Sequence, residues 1–420
     1  MTRTNWAGNL TYQARDLHRA ADIAQVQEIV AGARKLRVLG SRHSFSAIAD
    51  CSDAQLSLEQ MNRVIALDAG ASRVRVEGGI RYGDLAPALQ ARGLALANLA
   101  SLPHISVVGA AATATHGSGS ETGNLATAVT AMDIVNASGD VVRLSREADG
   151  DSFAGAAVGL GALGPVVGLT LEVEPTYDVR QTVYAGLSHD VLATEFEAIF
   201  ASAKSVSVFT DWRGPDANAL WRKERVTSDT PAPLSEAFGA TAARHAMHPL
   251  PGGAAGDCTE QLGRAGPWHE RLPHFRMEFT PSNGAEIQAE FFVPREEAAR
   301  AIAALRPHGE RLAPILMISE IRTIAGDDLW LSPAHRGPQV AFHFTFHRDW
   351  EAIRAVLPAI EASLAPFGAL PHWGKVTTMA PDRIARHFPR LEAFRDLARS
   401  FDPEGKFRND FLDRMVFGTA

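Results

Sequence analysis

One short loop near the start of the chain holds residues that could bind a diphosphate and form a covalent bond. Residues 37–39 have the pattern of a short buried strand, and Gly40 and Ser41 end it in a tight turn. Such a turn exposes backbone N–H groups, and glycine lets the chain approach an anion closely. His43 follows as a nucleophilic imidazole. The alternative is an ordinary Gly/Ser turn with a solvated histidine, and the loop alone does not decide between them.

Much later in the chain, polar residues repeat at every second position. Glu320 and Arg322 share one face of a predicted strand, and so do His343 and Thr345. A solvated, salt-bridged sheet face is the common explanation, but several polar faces in one half of the chain favour a pocket that binds hydroxyl groups. Arg322 and Lys375 could stabilise negative charge on a reacting oxygen. A lysine beside an arginine is a candidate base, and His343 is the competing candidate.

These residues need a scaffold, and the first part of the chain alternates strand and helix patterns. Residues 74–76 predict a half-buried strand, and residues 85–89 lie in the helix that follows it. Residues 129–135 and 141–144 predict a hairpin, and residues 167–173 predict another strand.

Two stretches of small residues, 101–119 and 159–168, interrupt this pattern. Backbone amides and hydroxyls would line their surface, which suits close contact with a long, flat, polar ligand. A flexible linker is the alternative, although linkers are rarely so rich in Ala, Val and Ile.

From residue 177 on, the pattern changes to long strands with bulky residues on one face and functional groups on the other. These strands are predicted at 275–279, 288–290, 320–322 and 342–346, whereas 231–256, rich in Pro, Gly and Ala, predicts a loop. We therefore expect the α+β fold class with two domains. A cofactor domain spans 1–176, an antiparallel-sheet cap that binds substrate spans 177–375, and the C-terminal segment 376–420 returns to the first domain.

Composition argues against several classes of protein. The 420 residues are too many for one core, and 46% apolar with 21% charged residues is typical of a globular protein. A net charge of -7 without a basic tract argues against a nucleic-acid partner. No apolar run is long enough to cross a bilayer, and the N-terminus lacks the apolar core of a signal peptide. We expect a cytoplasmic protein with reduced thiols at Cys51 and Cys258, no membrane partner and no metal site.

Several motifs follow one another in an order that resembles the vanillyl-alcohol oxidase family of flavoproteins. The resemblance extends nearly end to end, and within the family it is strongest to enzymes that act on open-chain polyols. The motifs lie at 39–45, 101–109, 115–119, 320–322, 372–375 and 402–407. The resemblance implies a PCMH-type FAD-binding domain followed by a substrate cap.

The resemblance also implies roles for individual residues. It implies that FAD is bound covalently through His43. The residues implied for FAD binding are Leu39, Gly40, Ser41, Arg42, Ser44, Ser101, Ser106, Gly109, Thr113, Ala114, Thr115 and His116, with Gly164 or Val166 near the adenine end and His372 near the flavin. The implied substrate set is Ser101, Gln288, Glu320, Arg322, His343, Thr345 and Lys375. Arg42 departs from the family pattern, because a small residue, often glycine, is expected there, and Ala114 stands where glycine would be unsurprising.

The implied activity is oxidation of the terminal primary alcohol of a polyol such as xylitol, sorbitol or, more weakly, glycerol. Hydride passes to the flavin and O2 is reduced to hydrogen peroxide, so the partners are a polyol and O2; a monomer is compatible with the sequence. One alternative is an oxidase or dehydrogenase of sugar-1,4-lactones. Another is a flavin-binding protein without catalysis. Glu320, Arg322 and Lys375 together argue against the latter, because binding flavin alone does not require them.

Overall fold

The computed structural model describes residues 3–279 and 284–418 of the chain. The outer ends of the predicted first and last segments, residues 1–2 and 419–420, therefore lie outside the described residues.

Strands of the first part of the chain form two principal sheets. A parallel sheet has the order β1 (Asp16–Arg19), β3 (Ala54–Ser57) and β2 (Leu36–Val38). An antiparallel sheet has the order β4 (Val64–Asp68), β5 (Arg73–Glu77), β9 (Val166–Glu172), β7 (Val129–Val135) and β8 (Val141–Ser145). The helices among them are α1 (Ile23–Gly32), α2 (Tyr82–Gln90), α3 (Val107–Ala112) and α4 (Arg146–Ala157). The predicted hairpin at β7 and β8 and the predicted strand at β5 are confirmed.

The second part of the chain forms a large antiparallel sheet. Its order is β16 (Glu236–Ala237), β17 (Ala240–Ala242), β11 (Asp178–Ala185), β15 (Ala219–Val226), β13 (Ser205–Thr210), β20 (Leu316–Ile324), β21 (Gln339–His347), β19 (Glu286–Pro294) and β22 (Leu370–Pro371), with β18 (Ala265–Pro267) beside β11. Two short pairs join β6 (Leu94–Ala95) to β10 (Glu174–Pro175) and β12 (Leu187–Ser188) to β14 (Asp216–Ala217).

Period-two alternation divides this sheet into an apolar face and a polar face. Phe342, Phe344 and Phe346 of β21 are fully buried in a core that also contains Ile302 and Leu357. The remaining helices are α5 (His189–Thr194), α6 (Phe196–Ala201), α7 (Ala298–Leu305), α8 (Gly309–Leu312), α9 (Trp350–Leu364), α10 (Pro381–Ala385), α11 (Leu391–Phe401) and α12 (Asp410–Leu412). Packing of the phenylalanines on one face turns the polar residues between them towards the other face.

The end of the chain contacts the first strands. Leu36 N donates to Lys406 O at 2.9 Å. Arg37 is 3% exposed, and its guanidinium donates to the carbonyl oxygens of Ile48, Leu160 and Phe407 at 2.6–2.7 Å. The domain boundaries at 176/177 and 375/376 stay predictions.

The prediction of a strand at 275–279 is wrong. Phe275 forms an isolated bridge with Cys258, and the chain then turns. Its backbone bonds to loops rather than to a neighbouring strand, since Phe275 N donates to Ser101 O at 3.3 Å and the Met277 carbonyl lies 2.8 Å from His104 Nε2. The alternation of side chains therefore predicts a strand here, although this segment has no neighbouring strand among the described residues with which to pair.

Within the described residues, no helix is both long and apolar enough to cross a membrane. Cys51 and Cys258 are buried, and neither forms a disulfide.

Candidate active site

A cavity of about 510 Å³ lies between the small-residue segments and the polar face of the large sheet. Of the residues predicted for cofactor and substrate, all line it except Ala114: these are Leu39, Gly40, Ser41, Arg42, His43, Ser44, Ser101, Ser106, Gly109, Thr113, Thr115, His116, Gly164, Val166, Gln288, Glu320, Arg322, His343, Thr345, His372 and Lys375. Residues from both halves of the chain thus face one space.

The loop after β2 packs closely against the start of α3. A Cβ added to Gly40 would lie 2.8 Å from Ser106 Oγ, and one added to Gly109 would lie 2.6 Å from the same atom. Ser41 Oγ also accepts a hydrogen bond from Ser106 N at 3.1 Å. A side chain at either position would displace the Ser106 hydroxyl from its present place, so the two glycines fit the close packing around Ser106.

His43 is held by stacking and has an unpaired ring nitrogen. Its ring stacks on Trp6 with centroids 5.3 Å apart, and its buried Nδ1 has no hydrogen-bond partner among the described residues. Burial, followed by the nearby His104, lowers the pKa of His43 to about 4. The imidazole is therefore neutral at neutral pH and keeps a lone pair for bond formation.

Arg42 and Ala114 both have a left-handed backbone. Arg42 has φ 64° and Ala114 has φ 53°, the region that glycine adopts without steric cost. The expectation of a small residue or glycine therefore has a conformational basis at both positions. Ala114 itself does not line the cavity, whereas its neighbours Thr113 and Thr115 do.

The register of three strands assembles the polar face. Glu320 of β20 lies opposite His343 of β21, and His343 lies opposite Glu290 of β19. Thr345 lies opposite Gln288 in the same way. These groups are nearly fully buried except Gln288, so the alternative of a solvated sheet face does not apply.

Glu290 is the centre of a buried cluster of charges. Its Oε1 accepts from Arg322 NH2 at 2.6 Å and lies 3.2 Å from His116 Nε2, and its Oε2 lies 3.5 Å from Lys375 Nζ. Burial alone would raise the pKa of Glu290, but Lys375 and Arg322 hold it well below the usual value. Glu320 Oε2 lies 3.6 Å from Arg322 Nε, so two carboxylates flank one guanidinium.

Lys375 and His343 share one acceptor. Lys375 Nζ donates to Gln288 Oε1 at 2.5 Å, and His343 Nε2 lies 3.0 Å from the same oxygen. Burial lowers the pKa of Lys375, and Arg322 lowers it further while Glu290 opposes the change. Burial and then the Lys375 charge hold the pKa of His343 well below its usual value. Both candidate bases therefore lie in the cavity, and the lysine is the more basic type of group.

His372 is a neutral side chain in the wall of the cavity. Gly374 N donates to its Nδ1 at 3.0 Å, so the hydrogen of the neutral ring is on Nε2. Burial lowers the pKa of His372 to about 3. Its ring stacks on Phe292 with centroids 6.1 Å apart.

Sequence reasoning missed three cavity residues that the structure brings to this site. Glu290 follows Gln288 at the same-face spacing, and that spacing could have identified it. His274 places Nε2 2.8 Å from Glu320 Oε1, but it lies in a loop and has no sequence signal. Trp6, the stacking partner of His43, also has no sequence signal that could have identified it.

The residues present fit FAD. His43 lines the cavity and has a buried Nδ1 without a hydrogen-bond partner among the described residues, and segments of small residues, including Gly40 and Gly109, form part of the same wall. Among the described residues, no group of three or more His, Cys, Asp or Glu side chains could hold a metal ion.

Comparison with known proteins gives two family matches and full-length relatives. The FAD binding domain family matches residues 17–145, and the D-arabinono-1,4-lactone oxidase family matches residues 282–415. The chain is similar to an alditol oxidase from Streptomyces sp., with 44% identity over 99% of each chain. It is similar at 26% identity, over 98% of each chain, to L-gulonolactone oxidase from Mus musculus.

A solved structure has a similar fold. It is a carbohydrate oxidase from Microdochium nivale in complex with a substrate analogue, with a TM-score of 0.75 at 15% identity, covering 98% of this chain and 94% of that one. The likeness confirms the predicted α+β fold with a PCMH-type domain and an antiparallel cap sheet.

Proposed function

The chain belongs to the alditol oxidase family of FAD-dependent oxidoreductases, and we propose that it oxidises the terminal primary alcohol of open-chain alditols to the aldehyde, with O2 reduced to hydrogen peroxide. The observation that carries this proposal is the polar row on three neighbouring strands of the cavity wall. Glu320 accepts hydrogen bonds, Arg322 donates them, and Gln288, His343 and Thr345 can pair with hydroxyl groups. A chain with a hydroxyl on every carbon would satisfy such a set.

The loop containing Gly40, Ser41 and His43, together with Ser106 and Gly109, would hold FAD. When bound, FAD supplies the hydride acceptor for alcohol oxidation. Gly164 and Val166, which line the same cavity, would lie towards its adenine end. The finer proposal is that attachment is covalent. An imidazole nitrogen of His43 would replace one hydrogen on a carbon of the isoalloxazine; one proton would leave that carbon, a second would leave the imidazole, and O2 would take up these two protons and two electrons as hydrogen peroxide.

Ser101 and Arg322 would hold the reacting oxygen. Arg322 NH1 lies 3.5 Å from Ser101 Oγ, so both can reach one substrate oxygen between them. Negative charge on that oxygen grows as the proton leaves, and the guanidinium stabilises it. Glu290, bonded to the other guanidinium nitrogen, fixes the orientation of Arg322.

Lys375 is the base that we favour. In its unprotonated form its Nζ can accept the hydroxyl proton, and Gln288 Oε1 orients that nitrogen towards the cavity. His343 is the competing base, although burial leaves its ring much less basic.

Anaerobic reduction of the bound flavin by a series of alcohols tests this function. Each desolvated group left unpaired costs about 1–3 kcal/mol, so efficiency should rise steeply from glycerol to xylitol or sorbitol, and propanol should be very poor. Lys375→Met or Arg322→Ala should lower the limiting reduction rate on the order of a hundredfold or more while retaining FAD. Equal efficiency with propanol and xylitol would contradict the proposal.

Oxidation of a sugar-1,4-lactone is the second candidate, favoured by the lactone oxidase family match at 282–415. A lactone turned over much faster than xylitol in the same assay would select it.

Covalent attachment is tested separately. Acid-precipitated, washed protein should stay yellow, and its mass should exceed that of the chain by one FAD. His43→Ala should release the flavin on precipitation while still binding it reversibly. A colourless precipitate from flavin-loaded wild type would remove the covalent bond from the proposal.

A further inference from the structure

A buried lysine lies behind the Glu320 carboxylate, outside the cavity lining. Lys223 on β15 is 1% exposed. Its Nζ donates to the carbonyl oxygens of Leu272 at 2.6 Å and Pro273 at 3.0 Å, and lies 3.0 Å from His274 Nδ1. Three acceptors match the three N–H bonds of an ammonium group.

The contacts of His274 define its tautomer. Its Nε2 lies 2.8 Å from Glu320 Oε1, and a carboxylate oxygen at that distance requires a hydrogen on Nε2. Its Nδ1 then accepts from Lys223. The two hydrogen bonds form one directed chain, from the lysine through the imidazole to the carboxylate.

The proton of this pair stays on the lysine. Burial lowers the pKa of Lys223 to about 7, partly offset by the charge of Glu320. Burial, followed by the Lys223 charge, lowers the pKa of His274 to about 4. The imidazole is thus the weaker base and remains neutral. Burial alone would raise the pKa of Glu320, but Arg322 and His274 hold it well below the usual value, so Glu320 is a carboxylate.

The same segment also holds Ser101. Lys223 binds the carbonyls of Leu272 and Pro273, and the next residue, His274, donates its backbone N–H to Ser101 O at 3.0 Å. One buried ammonium group is therefore linked both to the Glu320 carboxylate and to the Ser101 backbone.

We propose that Lys223 and His274 are positioning residues for substrate binding, which hold Glu320 as a fixed acceptor of substrate hydroxyl groups. The proposal rests on the proposed function, because it assigns Glu320 to the polyol. It predicts an effect on the concentration of polyol needed for saturation rather than on the bond-breaking step.

The test measures anaerobic flavin reduction over a range of xylitol concentrations. Lys223→Met keeps side-chain length but removes all three donors. We expect the half-saturating xylitol concentration to rise roughly tenfold or more, as for loss of hydrogen bonds to a charged group. The limiting reduction rate should change by less than about threefold, because Arg322 and Lys375 are unaltered and Ser101 O keeps its bond from the backbone N–H of His274. Lys204→Met, at a half-buried lysine outside the cavity, is the matched control and should leave both values unchanged.

A second pair of variants decides the question if Lys223→Met does not fold. His274→Gln keeps an N–H donor for Glu320 and an acceptor for Lys223, whereas His274→Phe removes both. We expect glutamine to retain a half-saturating concentration within a few-fold of wild type and phenylalanine to raise it as Lys223→Met does.

Three results would overturn the proposal. They are half-saturation within twofold of wild type in Lys223→Met, equal loss in the two His274 variants, or a fall in limiting rate as large as the rise in half-saturation. If no polyol reduces the flavin of the wild-type protein, the proposed function is wrong, and this proposal is wrong with it.

Discussion

Replacement of Glu290 by glutamine should move the pH dependence of flavin reduction to lower pH. Glu290 is 1% exposed and lies between Arg322 NH2 at 2.6 Å and Lys375 Nζ at 3.5 Å. Its charge raises the pKa of Lys375, against the larger lowering by burial. The glutamine has nearly the same shape but no charge, so the substitution isolates the electrostatic contribution.

The magnitudes decide which effect dominates. Two unit charges 3.5 Å apart attract by roughly 5 kcal/mol at an effective dielectric constant of about 20, which is an upper bound on what Lys375 loses. The bond from Arg322 survives with a neutral acceptor and weakens by about 1.5 kcal/mol, on the order of tenfold in rate. We therefore expect a limiting rate about tenfold lower on the high-pH plateau, reached at lower pH than in wild type.

Stopped-flow reduction by saturating xylitol between pH 5 and 10 gives the profile. If Lys375 is the base, the wild-type rate rises as Lys375 loses its proton, and the lower pKa in Glu290→Gln moves the rising limb down. Glu361→Gln is the matched control, since Glu361 is also buried but bonds Thr377 and Thr378 away from the cavity. A rising limb that stays in place in Glu290→Gln would show that Lys375 is not the titrating base.

Three further variants test other contacts. Arg37→Met should lower the thermal unfolding midpoint by several degrees, because buried carbonyl oxygens lose their donors at a cost of about 1–3 kcal/mol each. The control is Arg34→Met, at an exposed position, which should leave the midpoint unchanged. Trp6→Leu should lower the fraction of flavin that stays with acid-precipitated protein, because the ring that stacks on His43 is lost; an unchanged fraction would contradict this. Gln288→Leu should raise the half-saturating xylitol concentration roughly tenfold, since it removes the oxygen that both Lys375 and His343 contact. An unchanged half-saturating concentration would exclude a role of Gln288 in substrate binding.

Sequence alone predicts features that depend on local spacing. The alternation at 342–346 identifies a strand with phenylalanines on one side and functional groups on the other, and β21 confirms it. The expectation of glycine in place of Arg42 or Ala114 also has a local cause, the positive φ at each position. Both kinds of prediction need information only from residues close in the chain.

Contacts that depend on register between distant strands could not be predicted. The row from Glu320 through His343 to Glu290 joins residues tens of positions apart, and a shift of one residue would turn any of them to the opposite face. Lys223 and His274 meet only because a loop without a repeating pattern crosses the sheet at β15. The wrong strand at 275–279 has the same origin, since alternation does not say whether a partner strand is present.

The buried charges of the cavity are positioned by the apolar face behind them. Phe342, Phe344 and Phe346 alternate with His343 and Thr345 along β21, and all three rings are fully buried. Close packing of these rings fixes the strand, because core side chains have little freedom to move. Side chains on a strand held in this way keep their geometry without a substrate to organise them, and such preorganisation stabilises a developing charge more effectively than groups that must first reorient. The packing of Phe342, Phe344 and Phe346 therefore supports the proposed substrate site, although none of these three rings lines the cavity.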